Sequence, residues 1–252
     1  MNIGMMWRST GPVTRNLIII NFLIYAVEII FPRFCDTMIT KLGLHLIGAS
    51  DFNPIQILTY MFLHSPQSLL HILFNMFSLW MFGRILEHTW GSKRYFIFYM
   101  VCGIGAAFVQ EVVWSFTWRH DFIRALADAN LLTYENTEQL VNQGIANNDA
   151  FILSEMAKFK SMFVTIGASG AVFGLLLGFA MCFPNMPLYL FFIPVPIKAK
   201  YMMIGYAVLE FFLGVNGGGT IAHFAHLGGM LFGLAILLYW KKKGMLHGNG
   251  FY

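Results

Sequence analysis

The chain alternates between long apolar runs and shorter polar connections, and six of the apolar runs have the character of membrane-spanning helices. A helix needs about 20 mostly apolar residues to cross the hydrocarbon core of a bilayer. The six runs centre on Leu17–Phe31, Leu69–Phe82, Tyr95–Trp114, Phe163–Phe183, Tyr201–Leu213 and Ile221–Trp240. The second and fifth runs are short, so neighbouring residues are expected to complete those helices. The pattern predicts an all-α polytopic membrane protein built as a six-helix bundle.

The composition excludes a water-soluble globular domain. Of the 252 residues, 58% are hydrophobic and 11% are charged, and the mean hydropathy is +0.64. Soluble domains carry about 25% charged residues, so this chain has too little polar surface to cover a domain in water. The net charge of +4 comes from scattered basic residues. They form no basic face with interleaved aromatic residues, so nucleic acid is not an expected partner and the lipid bilayer is.

The distribution of basic residues predicts how the bundle is oriented, because cytoplasmic loops carry an excess of lysine and arginine. With the N-terminus inside, ten basic residues fall on the inner side and six on the outer side. The inner residues are Arg8, Arg15, Arg84, Lys93, Arg94, Lys198, Lys200, Lys241, Lys242 and Lys243. The outer residues are Arg33, Lys41, Arg119, Arg124, Lys158 and Lys160. An even number of spans then puts both termini in the cytoplasm.

The first apolar run and the outer connections bear on domain organisation and location. The first run is not followed by a small-residue cleavage site, so we expect it to be retained as a helix. Pro54–His64 is amphipathic and is expected to lie along the membrane interface. Trp118–Lys160 is polar, with apolar residues at roughly helical spacing. We predict one membrane domain over residues 1–252, with a helical outer insertion at about 118–160, and the compact chain favours a bacterial inner (plasma) membrane.

Strongly polar side chains inside a membrane segment are costly and are therefore candidates for function. The second segment has His71 and Asn75, the fourth has Ser169, and the sixth has His226, with His223 just before it. These three segments run in the same direction across the membrane under the predicted topology. At 1.5 Å rise per residue, the polar groups lie within roughly 10 Å of the outer boundary. The three helices can therefore bring them together at one depth.

Ser169 and His226 are the candidate nucleophile and general base. A serine hydroxyl becomes a useful nucleophile only beside a base that takes its proton, and neutral imidazole suits that role. Both residues lie in stretches with glycines four residues apart, and the alternative interpretation is a packing surface in which serine is merely small. No aspartate falls within the three segments, so a dyad is expected rather than a Ser-His-Asp triad. Phe173, one turn after Ser169, could stack on the imidazole.

His71 and Asn75 are candidate donors to an oxyanion. They are four residues apart and share a helical face, and both side chains can donate a hydrogen bond to developing negative charge. The alternative role for this pair is interhelical hydrogen bonding. A zinc site is not expected, since His223 and His226 lack clear thiolate or carboxylate partners and no HExxH motif occurs. We predict no cofactor and no metal.

In these features the sequence resembles the rhomboid family of intramembrane proteases. The resemblance rests on His71–Asn75 (HILFN), Gly167–Gly170 (GASG), Ala225–Gly229 (AHLGG) followed by Gly233, and Gly83–Glu87 (GRILE) followed by Gly91. It implies that Ser169 is the nucleophile, that His226 is the base, and that His71 and Asn75 stabilise the oxyanion. It also implies a water-filled cavity open to the outer side and lateral access for a substrate helix near segments two and five.

Two features, at three positions, depart from the family pattern. Ile55 and Gln56 stand where many relatives have a tryptophan–arginine pair in the first outer loop. Phe173 stands where a tyrosine often stacks beneath the histidine. Without the tryptophan–arginine pair, the first outer loop lacks an expected anchor. With phenylalanine in place of tyrosine, the ring beneath the histidine has no hydroxyl.

These observations lead to one expected function and two alternatives. The expected function is a serine endopeptidase that cleaves single-span transmembrane proteins near the outer membrane face. The first alternative is a catalytically inactive rhomboid-like protein that binds membrane clients. The second is a channel or transporter that would use Glu28 and Glu210 on its pathway, although each glutamate stands alone in its apolar segment.

Overall fold

The computed structural model describes residues 7–190, 193–216 and 222–245. In this part of the chain the α-helices are α1 (Pro12–Ile30), α2 (Pro32–Leu42), α3 (Gln56–Thr59), α4 (Leu69–Ser78), α5 (Arg84–Trp90), α6 (Ser92–Asn130), α7 (Tyr134–Ala146), α8 (Ala150–Ser161), α9 (Ser169–Cys182), α10 (Ala199–Val215) and α11 (His223–Lys242). A 3₁₀ turn (Tyr60–Phe62) follows α3, and a π-helical segment (Leu79–Gly83) joins α4 to α5.

Two short antiparallel sheets complete the described structure. Strand β1 (Leu44–His45) pairs with β2 (Val164–Thr165), with Leu44 opposite Thr165. Strands β3 (Pro187–Leu190) and β4 (Ile193–Lys198) form a hairpin between α9 and α10. The first sheet ties the loop after α2 to the residues just before α9.

Within the described residues, four helical stretches are long and apolar enough to cross a membrane: Pro12–Ile30, Leu69–Trp90, Ser92–Asn130 and His223–Lys242. The second apolar run is short in the sequence. In the structure its helix, α4, continues without a break through the π-helical segment into α5. The fourth segment is wrong at its start, because Phe163–Ala168 holds strand β2 and a turn, and the helix begins only at Ser169. Helices α9 and α10 are shorter, with 14 and 17 residues.

Helix α9 is packed between α6 and α11, and small residues allow the close approach. Gly170 and Gly229 face each other so closely that a Cβ on Gly229 would collide with the carbonyl oxygen of Gly170. One turn further along α9, a Cβ on Gly174 would lie 3.0 Å from the carbonyl oxygen of Gly229 and would collide with Cys102 on α6. In a membrane, where helices gain little from the hydrophobic effect, such backbone contact is a main source of packing energy.

Large aromatic side chains fill the bundle at the other end of α9. Trp90 packs on Phe98 and Trp240 with ring centroids 4.9 and 5.9 Å away. Phe82 meets Phe179 edge to face at 4.9 Å. Offset and edge-to-face pairs of this kind add stability beyond the area they bury. This end of the bundle is therefore a filled core, while polar groups gather at the end where α9 begins.

The Gly83–Glu87 motif has a structural explanation. The Glu87 carboxylate accepts hydrogen bonds from the backbone amides of Val13 and Thr14 at 3.0 and 2.8 Å, and from the Ser92 hydroxyl at 2.7 Å. The first amides of a helix have no intrahelical partner and carry the positive end of its dipole. Glu87 thus caps α1 from a different helix and fastens α1 to the turn between α5 and α6.

Gln56, at the start of α3, anchors the loop that follows α2. Its side chain is fully buried. Its Oε1 accepts from the backbone amides of Asn53 and His45 at 3.0 and 3.3 Å, and its Nε2 donates to the carbonyl of Asp51 at 2.7 Å. A neutral amide can both donate and accept, so Gln56 satisfies backbone groups on several sides of this loop.

The polar segment between the third and fourth apolar runs forms a helical extension of the bundle. Helix α6 continues through 39 residues, well beyond the length of a span, and α7 and α8 fold back beside its end. Phe122, Ile123 and Val141 form a small core of their own there. The Thr133 and Asp149 side chains cap α7 and α8. The segment has the caps and the apolar cluster that independent helices need in water.

The contact between α9 and α11 makes a first prediction. Replacing Gly229 with alanine should lower stability by about 1–3 kcal/mol or more, because the added methyl must push two backbones apart. Thermal unfolding of the purified protein in detergent micelles measures the loss. Gly205→Ala on α10 is the matched control, since a Cβ there meets nothing within 4 Å. Equal melting temperatures for the two variants would contradict the packing assignment.

Candidate active site

The backbone before α9 places Ser169 at the very start of that helix. Gly167 has φ +126°, which side-chain-bearing residues rarely adopt, and its amide donates to the carbonyl of Tyr60 at 2.9 Å. Ser169 is the first residue of α9, and no side chain caps this end of the helix. The first backbone amides of a helix lack intrahelical partners. The first amides of α9 therefore remain able to donate hydrogen bonds to a group beside the Ser169 hydroxyl.

The structure brings Ser169 and His226 together. His226 lies on the first turn of α11, and its Nε2 is 2.8 Å from the Ser169 Oγ. The Phe173 ring stacks on the imidazole, with centroids 4.2 Å apart and planes 12° from parallel. The imidazole is buried and Ser169 is partly exposed. A neutral imidazole with its Nε2 unprotonated can accept the serine proton along this hydrogen bond.

Glu210, considered above only as a residue of a transporter pathway, lies on the other side of His226. Glu210 on α10 has its Oε2 3.0 Å from the Nδ1 of His226 and 2.7 Å from the Nδ1 of His223. The expectation of a dyad rested on the lack of aspartate in segments two, four and six, whereas this carboxylate comes from segment five. The Glu210 carboxylate therefore has hydrogen-bond partners, and one of them is the imidazole that contacts Ser169.

His71 faces the same space. A Cβ built on Gly167 would lie 2.9 Å from the Nε2 of His71 and 3.8 Å from the Ser169 Oγ. The glycine thus leaves open a small volume bordered by the serine hydroxyl and the His71 ring. Asn75 is buried one turn further along α4, where its Nδ2 donates to the carbonyl of His71 at 2.9 Å. This bond lies within one helix, and the amide has a second N–H.

A second histidine lies beside His71, in the loop between the 3₁₀ turn and α4. The His64 ring lies 5.1 Å from the His71 ring, between centroids, and is fully buried. Burial and the neighbouring His71 lower the pKa of His64 to about 3. His64 is therefore uncharged at neutral pH and places no positive charge beside the candidate oxyanion donors.

Glu210, His223 and His226 could also be considered as metal ligands, since one ligand atom from each lies within 4.8 Å of the others. Two imidazoles and a carboxylate are a ligand set that zinc accepts. No carboxylate partner for these two histidines was predicted from the sequence. Their 2.7 and 3.0 Å separations from the Glu210 oxygen, however, are hydrogen-bond distances.

Comparison with known protein families identifies the fold around this site. Residues 51–117 and 140–243 match the Rhomboid domain, which is more than half of the chain. The chain belongs to the rhomboid family. It is therefore an integral, multi-pass membrane protein of a family of intramembrane serine proteases and their relatives. The match omits residues 118–139, the end of α6 and the start of α7. No curated protein matches the chain.

Gly167 gives a prediction specific to this rhomboid site. Gly167→Ala should strain the backbone by about 1–3 kcal/mol and also fill the space between His71 and Ser169. We expect a loss of stability together with slower labelling of Ser169 by a serine-reactive phosphonate probe, per folded molecule. Gly48→Ala is the control: φ is +90° there, but a Cβ meets nothing within 4 Å. If both variants label at the wild-type rate, the space is not part of the site.

Proposed function

We propose that this rhomboid-family protein is a serine endopeptidase that cleaves transmembrane protein substrates near the outer membrane face. The observation that carries the proposal is the 2.8 Å hydrogen bond between the Ser169 hydroxyl and the Nε2 of His226. The ring beneath His226 and the glycine-lined space beside Ser169 support it. Single-span membrane proteins in the bilayer are the proposed partners.

The proposed reaction follows from these groups. His226 Nε2 takes the proton of Ser169 as the Oγ attacks the scissile carbonyl carbon. The carbonyl oxygen becomes an oxyanion, and we assign its stabilisation to His71, Asn75 and the first amides of α9. The intermediate collapses as His226 gives its proton to the leaving amine, and an acyl-enzyme remains. Water, deprotonated by the same imidazole, then attacks the ester and releases Ser169.

The proposed topology is six spans with both termini in the cytoplasm and one domain that carries the helical segment at about 118–160. The ten-to-six bias of basic residues supports that orientation. In the part of the chain that the structure describes, four helices have the length and apolarity of spans, and α9 and α10 would complete the set. Ser169 and the extension formed by α7 and α8 would then lie toward the outer side.

Neither alternative function gains support from a particular contact. A transporter pathway would need available carboxylates, but the Glu28 carboxylate accepts from the backbone amide of His64 at 3.2 Å, and Glu210 accepts from two imidazoles. A protein that only binds clients would have no need for a hydrogen-bonded serine and histidine. The nucleophile test below separates this second alternative from the protease.

Ser169→Ala should leave folding and membrane insertion intact and abolish cleavage, because no other group supplies the nucleophile. Cleavage of an unstructured casein by detergent-solubilised protein, and mass mapping of a phosphonate adduct, measure the effect. Ser78→Ala is a matched control, since Ser78 lies at the opposite end of α4 from His71. Substantial cleavage by the Ser169→Ala variant, or no adduct on the wild-type serine, would exclude the proposed function.

The oxyanion assignment makes a separate prediction. Asn75→Ala and His71→Ala should each lower kcat more than they raise KM, because donors to an oxyanion act mainly in the transition state. Removing one such donor costs about 10²–10³ in kcat in soluble hydrolases, and the loss here should be smaller because several donors share the site. The double variant should be clearly worse than either single one. Normal turnover with a lowered melting temperature would make Asn75 a structural residue.

A further inference from the structure

We propose that Glu210 is a positioning residue for His226, so that the site works as a Ser169–His226–Glu210 triad rather than a dyad. This inference rests on the proposed protease function. It adds a carboxylate from α10 that holds the imidazole in the tautomer and orientation that the reaction needs. His223, bound to the same carboxylate oxygen, fixes the carboxylate in turn.

The hydrogen bonds fix the direction of each proton. An ionised carboxylate only accepts hydrogen bonds, so the Nδ1 of His226, 3.0 Å from the Glu210 Oε2, must carry the hydrogen. A neutral imidazole has one N–H, which leaves Nε2 with a lone pair. That nitrogen is the one 2.8 Å from the Ser169 Oγ. The carboxylate therefore selects the tautomer in which His226 can accept the serine proton.

Glu210 and Phe173 restrict different motions of the ring. Phe173 lies flat beneath the imidazole, 4.2 Å away between centroids, and opposes tilting. The bond to Glu210 lies at the edge of the ring and opposes rotation within its plane. Packing alone would leave the direction of the Nε2 lone pair less well defined. The two contacts together hold that lone pair toward Ser169.

His223 helps to stabilise the buried carboxylate of Glu210. A buried charge in a membrane segment needs donors to replace its lost hydration. Glu210 is 7% exposed and receives bonds from two imidazoles on the first turn of α11, at 2.7 and 3.0 Å. When His226 takes the serine proton, the adjacent carboxylate forms an ion pair with the imidazolium. The same arrangement stabilises the imidazolium in soluble triads.

A hydrogen-bonded triad fits these distances better than a metal site does. Ligand atoms around a tetrahedral zinc with bonds near 2.0–2.1 Å are about 3.3 Å apart. The Glu210 oxygen is closer than that to both imidazole nitrogens, at 2.7 and 3.0 Å. A hydrogen bond accounts for both distances between the Glu210 oxygen and the imidazole nitrogens, whereas a zinc ion bound by these atoms would require longer distances.

The test compares Glu210→Gln with a matched change of another buried glutamate. Glutamine keeps the shape of the side chain and removes its charge. Glu111→Gln is the control, because Glu111 is also buried on a long apolar helix and its described partner is the backbone amide of Ile47. A phosphonate probe in detergent micelles gives the maximal labelling rate of Ser169 and the probe's apparent affinity separately, and thermal unfolding reports stability.

We expect Glu210→Gln to lower the maximal labelling rate and casein cleavage by about 10- to 100-fold. This is less than the ~10⁴-fold loss in a soluble triad, because Phe173 still holds the ring. The apparent affinity of the probe should not change, and Glu210→Asp should recover part of the rate. Glu111→Gln should label at the wild-type rate per folded molecule. A purely structural Glu210 predicts instead a lower melting temperature with normal labelling.

Each remaining outcome decides between the hypotheses. Inactive Ser169→Ala together with fully active Glu210→Gln would overturn only the triad, whereas active Ser169→Ala would overturn the protease itself. If Glu210→Gln does not fold, Glu210→Ala carries the test, and a wild-type labelling rate per folded molecule in that variant contradicts the positioning role. Loss of wild-type activity in EDTA, restored by added zinc, would assign the three side chains to a metal and overturn the proposal.

Discussion

The close approach of α9 and α11 is the constraint on which the candidate site depends. Gly170 and Gly229 touch backbone to backbone, and each is within three residues of a member of the serine–histidine pair. A serine side chain is short, so its hydroxyl reaches an imidazole on another helix only if the two helices are in direct contact. The 2.8 Å hydrogen bond between Ser169 and His226 is therefore a consequence of where the glycines lie.

Buried carboxylates organise the loops around that contact. Among the described residues four glutamates are buried, namely Glu28, Glu87, Glu111 and Glu210. The first three accept backbone amides from separate loops or helix ends, at His64, at Val13 and Thr14, and at Ile47. A backbone amide near the membrane needs an acceptor, and a carboxylate needs donors. Each pairing thus satisfies both groups and fixes one loop. Glu210 differs because its partners are two imidazoles at the candidate site.

The apolar pattern located the apolar helices because hydropathy reports directly on contact with lipid, and four helical stretches among the described residues are long enough to cross a membrane. The pattern misplaced the start of α9, because Val164–Thr165 instead pairs as β2 with β1. Strand pairing depends on a distant segment and leaves no local periodic signal in two residues. The structure also brings Ser169 and His226 within hydrogen-bond distance, as the similar depths of their segments suggested.

Glu210 was missed because helical spacing relates residues on one helix and says nothing of a neighbour. A signal was nevertheless present. Helices α10 and α11 follow each other through a short connection, and Glu210 lies five residues before the end of α10. His223 and His226 occupy the first turn of α11. Antiparallel helices joined in this way place those positions at similar depth. A glutamate near the end of one such helix and histidines at the start of the next helix therefore predict a contact between their side chains.

Under the proposed topology, the short length of α9 accounts for a polar site below the membrane surface. Its 14 residues span about 21 Å, less than the hydrocarbon thickness of about 30 Å. If the far end of α9 reaches the opposite boundary, its first residue lies several ångströms inside the bilayer. Irregular backbone is tolerated at that depth only where protein covers it or water fills it. Strand β2 pairs with β1 just before α9 begins. Under the proposed topology, this pairing gives the backbone of that segment partners within the protein, so that Ser169 can begin its helix within the membrane.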